Sequence, residues 1–408
     1  MYSILSTGAI PILPANYGGA RGIYSLLHAL SLSRKVIYLY PEKTNSTRKI
    51  NENFMLIGVK QKSWKKFVVK SAIGLFRLFG TLPNSPLSHE IRIFIDRKYR
   101  EKVRELLNAD KDTVLLFQSP GGLFSLMEEV GDRIKILRAH NVEMHFYKAH
   151  YSTGNKFRER ITDEIIEKLE GEFARKCDLV FCITPEDSKF FHIHYGVPYE
   201  KIVWVPFPVD AIRIKSWEEK KSQSSQKKKI CVLMSGFGLR GKSKVDPNAE
   251  VANTLLQSLA RRYPDVDFVV MGKICSAITT DAKNIKLLGV VDDPMKEHIL
   301  QIADMAINPT VAGAGINIKM LEYMAYGLPV VTTPIGARGT FVKDGESAVL
   351  RQIENFEDGL EFLLSDDQKA KEIGMNARKI INQYFDAKVV AERAVAAIDR
   401  VWQSKYGK

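Results

Sequence analysis

"NPTVAGAGINIKMLEYMAYGLPVV", residues 308–331, leaves one apolar run and enters another, with two glycines and a short helical stretch between them. Strand, glycine loop, helix and strand form the unit from which parallel sheets are wound. Gly313 and Gly315 leave the backbone bare where the helix starts, and unpaired amides at such an entrance, with the helix dipole behind them, favour an anion. Lys319 adds a formal positive charge. Glu322 falls about 60° from Lys319 on a helical wheel, with Ile318, Leu321 and Ala325 on the adjoining buried side. Its carboxylate can accept two hydrogen bonds from vicinal hydroxyls such as those of a ribose. Phosphates at the helix start and a pentose one turn deeper describe a nucleoside diphosphate. The competing reading is an exposed Lys/Glu pair worth a few tenths of a kcal/mol, against which the apolar flanks argue.

Outward from this stretch the same alternation runs through the chain. "YSILSTGAI", "KVIYLY", "TVLLFQS", "RIKILRAHN", "LVFCITP" and "KIVWVPF" alternate with helical segments, and "DAIRIKSWEEKKSQSSQKKKI" then breaks the pattern with charge and serine. It restarts with "ICVLMSG", "VDFVVMG", "IKLLGVV", "MAINPT" and "PVVTTP". An α/β protein of two Rossmann-like domains is expected: 1–208, a linker at 209–228, 229–385, and a final helix at 386–408 whose Val389, Ala391, Ala394, Val395 and Ile398 trace one apolar face. A length of 408 residues suits two domains.

The composition, 45% hydrophobic and 26% charged, is that of a globular chain. No run reaches the ~18 apolar residues of a membrane span and no leader pattern opens the chain, so a cytoplasmic location is expected. Four cysteines without Cys-x-x-Cys spacing read as free thiols, and no disulfide, metal or cofactor is expected. The net charge of +13 is uneven: residues 1–100 carry 16 Lys/Arg against 4 Asp/Glu, residues 101–200 carry 14 against 18. Such a basic first domain suits an anionic partner, either nucleic acid, an acidic polymer or a membrane face. In "KSWKKFVVKSAIGLFRLFGTLP", Trp64, Phe67, Leu75 and Phe79 share a helical stripe opposite Lys62, Lys66, Lys70 and Arg77. This is the pattern of a helix lying in an anionic membrane surface, and equally of a core-packed helix with a basic back.

Ligands of open parallel sheets bind beyond the carboxyl ends of the strands. There, Gly18 and Gly19 open a helix after the first strand, either as a second approach to a phosphate or as an ordinary turn. "RAHNVEMHFYKAH" places His140, Asn141 and Glu143 just past a strand, where they could hold a polyhydroxylated substrate or move a proton. On these residues alone a capping Asn and a structurally satisfied His is the simpler account.

At these residues the chain resembles the group-1, retaining glycosyltransferases of the GT-B fold. "GINIKMLEYMAYGLPVVTTPIGARGTFVKDGESAVL" is similar to their signature region, "YGGARGIYSLLHALS" to their first glycine loop, "AHNVE" to their histidine loop, and "DPNAEVANTLLQSLARRYPDVDFVVMGK" to the opening of their nucleotide-binding domain. The resemblance implies two domains facing across a cleft, a nucleotide-sugar donor on the second, an acceptor on the first, metal-independent transfer, and a last helix returning to the first domain. It implies that Glu322 holds the donor ribose, the amides of Gly315, Ile316 and Asn317 meet the diphosphate, Gly289 and Val291 flank the base, and His140, with Glu143, positions the transferred sugar. Two departures stand out. The first Glu of the family's Glu-x7-Glu falls at Ala314 and its internal glycine at Asn317. The family's Arg and Lys after the first strand of the second domain are replaced by Arg240, Lys242 and Lys244 at other spacings.

The basic first domain and the amphipathic segment point to an acceptor that is a glycan or lipid-linked hydroxyl in bacterial surface polysaccharide synthesis at the inner face of an anionic membrane. The rival readings are a nucleotide-sugar epimerase or hydrolase of the same fold, and a non-catalytic polyanion binder. For nucleic acid, no recognised motif is present.

Overall fold

A computed structural model describes residues 2–14, 18–61, 96–145, 156–210, 228–236, 239–240, 244–313 and 315–407. The amphipathic segment expected at 62–82, Lys242, Ala314 and most of the linker expected at 209–228 lie outside them. The chain divides into two units, Met1–Pro208 with Val390–Lys408, and Val209–Val389.

The strands of unit 1 are β1 (Ser3–Thr7), β2 (Val36–Glu42), β3 (Ser46–Lys49), β4 (Phe54–Lys60), β5 (Thr113–Phe117), β6 (Lys135–Ala139), β7 (Leu179–Cys182) and β8 (Ile202–Trp204). They form one sheet in the order β3-β4-β2-β1-β5-β6-β7-β8. All neighbours are parallel except β3 against β4. Its helices are α1 (Gly18–Leu30), α2 (Arg97–Ala109), α3 (Pro120–Val130), α4 (Lys156–Lys176) and α5 (Pro185–Ile193). Every residue of β1, β5 and β7 is buried, because helices cover both faces of the sheet. Side-chain alternation divides them. Leu5, Leu115, Leu137 and Val180 pack with α2 to α5. Ile4, Leu116, Ile136 and Phe181 face Ile23, Leu26, Leu27 and Leu30 of α1.

Unit 2 holds β9 (Lys229–Met234), β10 (Leu239–Arg240), β11 (Lys244–Val245), β12 (Val266–Met271), β13 (Ile285–Gly289), β14 (Met305–Asn308), β15 (Val330–Thr332) and β16 (Val349–Leu350). Apart from the short β10/β11 pair, they form a parallel sheet in the order β13-β12-β9-β14-β15-β16. Its helices are α6 (Pro247–Arg262), α7 (Asp293–Ile302), α8 (Ile318–Ala325), α9 (Phe356–Ser365) and α10 (Asp367–Ile380). The strand order reverses between β1 and β5 in unit 1 and between β9 and β14 in unit 2. Those are the switch points where a doubly wound sheet opens a crevice.

The last helix, α11 (Ala387–Tyr406), belongs to unit 1. Its buried residues are Val390, Ala391, Ala394, Ala397 and Ile398, while Val389 is half-exposed and Val395 packs at the margin. The apolar face is therefore rotated from the one expected. Asp399 sets the rotation, taking a hydrogen bond from the Tyr2 hydroxyl at 2.7 Å and an ion pair from Arg34 at 2.9 Å.

Candidate functional site

In unit 2 the polar groups converge past the ends of β9 and β14. The helix α6 starts where its residues dictate: Asp246 caps it by accepting from Asn248 N–H at 2.9 Å, and Pro247 takes the first turn, where no amide is needed. Asn248 then clamps the glycine loop. Its Oδ1 accepts from the N–H groups of Val311 (2.8 Å) and Ala312 (3.0 Å), and its Nδ2 donates to the Ala312 carbonyl (2.9 Å).

The other end of the loop is held by a buried relay. Asn317 donates to Thr310 Oγ1 (3.1 Å), Thr310 donates to Asn308 Oδ1 (2.7 Å), and Asn308 donates to Thr332 Oγ1 and the Gly336 carbonyl (3.1 Å each). Asn317 is the cap residue of α8, and because its side chain reaches back to Thr310 it makes no capping bond. The cap side chain therefore leaves the first amides of α8 without its acceptor, and open amides at a helix start favour anions. Gly315 has φ +69°, in the left-handed region that favours glycine. Gly313 is exposed, Gly315 and Ile316 are buried.

Lys319 is half-buried. Desolvation pushes its ammonium down to about 8, with Asp246 pulling the other way. Glu322, one turn on, pairs with Lys296 of α7 at 2.6 Å. The helix is more enclosed than the wheel suggests: Met320, Tyr323 and Met324 are buried while Ile318 is half-exposed, since the Tyr323 hydroxyl reaches through to accept from Met234 N–H at 2.6 Å. Gly289, with φ +69°, ends β13; its N–H donates to Cys275 Sγ (3.3 Å) and its carbonyl accepts from Gly272 N–H (2.6 Å), leaving Val291 half-exposed before α7. Arg240 lies in β10, opposite Lys244.

In unit 1 alternation along β6 sends Ile136, Arg138 and His140 to the α1 face, with Gln118 after β5 and Ser6 of β1 beside them. Gln118 Nε2 donates to Ser6 Oγ (2.8 Å), so its Oε1, 2.9 Å from His140 Nε2, accepts that ring proton. The ring stacks on Phe207 at 5.9 Å, and its Nδ1 is buried with no hydrogen-bond partner among the described residues. Burial and the adjacent Arg138 hold His140 well below the usual imidazole range, so it is neutral at pH 7. Arg138 is fully buried, donates to the Gly22 carbonyl at 3.1 Å, and is pushed down to about 9 by desolvation. Gly18 and Gly19 are the exposed opening of α1. Glu143 is fixed through its backbone: its N–H donates to both oxygens of Glu170 (3.2 and 3.0 Å), which also accepts from the Tyr195 hydroxyl (2.7 Å). Glu170 is buried and pushed up to about 8 by desolvation.

Residues 243–366 match the family model of group 1 glycosyl transferases. Over that stretch the second unit is similar to the group 1 glycosyl transferases. The chain is 22% identical over 403 residues to an uncharacterised 44.6 kDa protein in the cps region of Klebsiella pneumoniae, covering 92% of this chain and 95% of that one. It is 28% identical over 161 residues to the phosphatidyl-myo-inositol mannosyltransferase of Mycolicibacterium smegmatis, 37% of this chain and 40% of that one. Among solved structures, sucrose-phosphate synthase from Thermosynechococcus elongatus superposes with a TM-score of 0.75 at 11% identity, covering 99% of this chain and 100% of that one. Anabaena HepE in complex with UDP and glucose does so with a TM-score of 0.65 at 14% identity, covering 98% and 100%. The fold is that of the GT-B enzymes, two parallel-sheet Rossmann-like units. Asn248, Gln118, Lys296 and Glu170 escape sequence reasoning because their partners lie 22 to 64 residues away. Only the alternation of β6, with Arg138 and His140 on one face, carries a legible trace of the second cluster.

Proposed function

We propose that this glycosyltransferase moves a sugar from a nucleoside-diphosphate donor to a hydroxyl of a glycan or lipid-linked acceptor, retaining the anomeric configuration, in the synthesis of a bacterial surface polysaccharide. The observation that carries the reading is the uncapped start of α8, with Lys319 in its first turn and Glu322 one turn on. The relative from a cps region and the mannosyltransferase relatives support it, as does a solved neighbour bound to UDP and glucose.

In this reading the amides of Gly315, Ile316 and Asn317, with Lys319, receive the diphosphate. As the sugar's C1–O bond breaks and the bond to the acceptor oxygen forms, negative charge gathers on the departing phosphate, and the acceptor proton leaves with it. Preformed amides stabilise that charge without reorganising. Glu322 takes the ribose hydroxyls, Gly289 and Val291 flank the base, and Gly18 and Gly19 approach the donor phosphates. Neutral His140 offers Nδ1 as acceptor to a hydroxyl of the transferred sugar, and the turn carrying Glu143 holds the His140 loop in place. Among the described residues no helix is long and apolar enough to cross a membrane. A membrane-borne acceptor would be reached from the surface, through the basic residues of 1–100.

Calorimetric titration of UDP and GDP into the wild type and Glu322→Ala tests the assignment. A loss of affinity of about a hundredfold is expected from removing two charge-assisted hydrogen bonds. Unchanged affinity removes Glu322 from the nucleotide site. Anomeric NMR of the product decides retention.

A further inference from the structure

Glu322 is held by a residue of another helix. Its Oε1 lies 2.6 Å from Lys296 Nζ, and the two side chains are 18% and 14% exposed. Lys296 also lies 3.4 Å from Asp293, one turn earlier on α7. That helix begins immediately after the loop of Gly289 and Val291, capped by Asp292, which accepts from Met295 N–H at 2.9 Å. A single helical turn therefore separates the loop from the ammonium group on Glu322.

Stability is a weak reason for such a pair. Exposed ion pairs contribute about 0–1 kcal/mol, and partly dehydrated ones lose much of their attraction to desolvation. Recognition gives a stronger reason. A carboxylate that receives the hydroxyls of a nucleoside diphosphate is repelled by the phosphates of the same ligand. Its flexible side chain must also be held in one rotamer, which costs affinity unless the free protein has already ordered it. Lys296 does both, offsetting the charge and fixing the carboxylate through Oε1.

We propose that Lys296 is a positioning residue for pentose recognition, orienting and neutralising Glu322 and tying it to the loop that precedes α7. The proposal rests on the assignment of Glu322 to the ribose made above.

The test is calorimetric titration of UDP and GDP and of their 2′,3′-dideoxy counterparts, with folding checked by thermal melts. Lys296→Met is expected to bind the ribonucleotide about tenfold more weakly and the dideoxy nucleotide as the wild type does. Lys296→Arg is expected to recover most of the loss, and in a Glu322→Gln background Lys296→Met should change nothing further. Lys296→Gln serves if the methionine variant fails to fold. Retention of the full ribose preference by the folded Met or Gln variant overturns the proposal alone. Equal weakening of both ligands does the same, since it marks a merely structural pair. A wild type that does not distinguish ribose from dideoxyribose, or binds neither nucleotide, removes the assignment of Glu322 and this inference with it.

Discussion

Asn248 grips Ala312 from both sides, accepting from its N–H at 3.0 Å and donating to its carbonyl at 2.9 Å. A single amide thus fixes the glycine loop before α8, and the Val311 N–H completes the clamp. Asn248→Ala leaves these backbone groups without their partner and is expected to lower stability by about 1–3 kcal/mol, read as a drop in melting temperature. Asn248→Asp keeps the acceptor but places a charge beside the anion site. It should weaken nucleotide binding more than it lowers the melting temperature.

Lys319 carries its proton only up to about pH 8 in the free protein. With Lys319 assigned to the diphosphate as proposed, nucleoside-diphosphate affinity should fall as pH rises from 7 to 9.5, because that cation is lost. Lys319→Arg stays protonated throughout and should flatten that limb, whereas Lys319→Met should bind weakly at every pH. Titrations across the range settle the matter, and parallel curves for the wild type and the arginine variant would refute it.

Neutral His140 with its proton on Nε2 predicts a nitrogen NMR signature of that tautomer, unchanged between pH 6 and 8. Gln118→Leu removes the oxygen that sets the tautomer. The expected result is a mixture of tautomers and a rise in KM for the donor sugar substrate, with the affinity for the nucleoside diphosphate unchanged. A single Nε2–H signal in the variant would show that Gln118 does not set it.

Glu170 binds its proton more tightly in the folded protein than in the unfolded chain, with a folded value of about 8. Between its ordinary range and pH 8 the native state therefore holds the extra proton, so this residue's contribution makes stability decline as pH rises through that window and level off above it. Glu170→Gln cannot ionise and should show a shallower decline in denaturant midpoint from pH 5 to 8. A variant with the wild-type slope would place the pH dependence elsewhere.

The strands that the sequence discloses are those buried on both faces, such as β5 and β7, whose unbroken apolar runs have no other use. The polar, mostly exposed edge strand β3 carries no such signature, and neither does the two-residue β16. The glycine loop is legible because Gly313 and Gly315 announce a backbone conformation and Lys319 and Glu322 share a helix. Asn248 and Lys296 are not, since a clamp across 64 residues or an ion pair across 26 leaves no periodicity to read.

That α11 closes the face of the β1 sheet on which α1 lies has a practical consequence for dissecting the protein. A fragment ending at Pro208 would lose Val390, Ala394 and Ile398 from the cluster they share with Tyr2, Ile4 and Leu30, and would strip Arg34 of Asp399. Expressed alone it should aggregate, and splicing residues 387–408 behind it through a flexible tether is the way to recover a soluble first half.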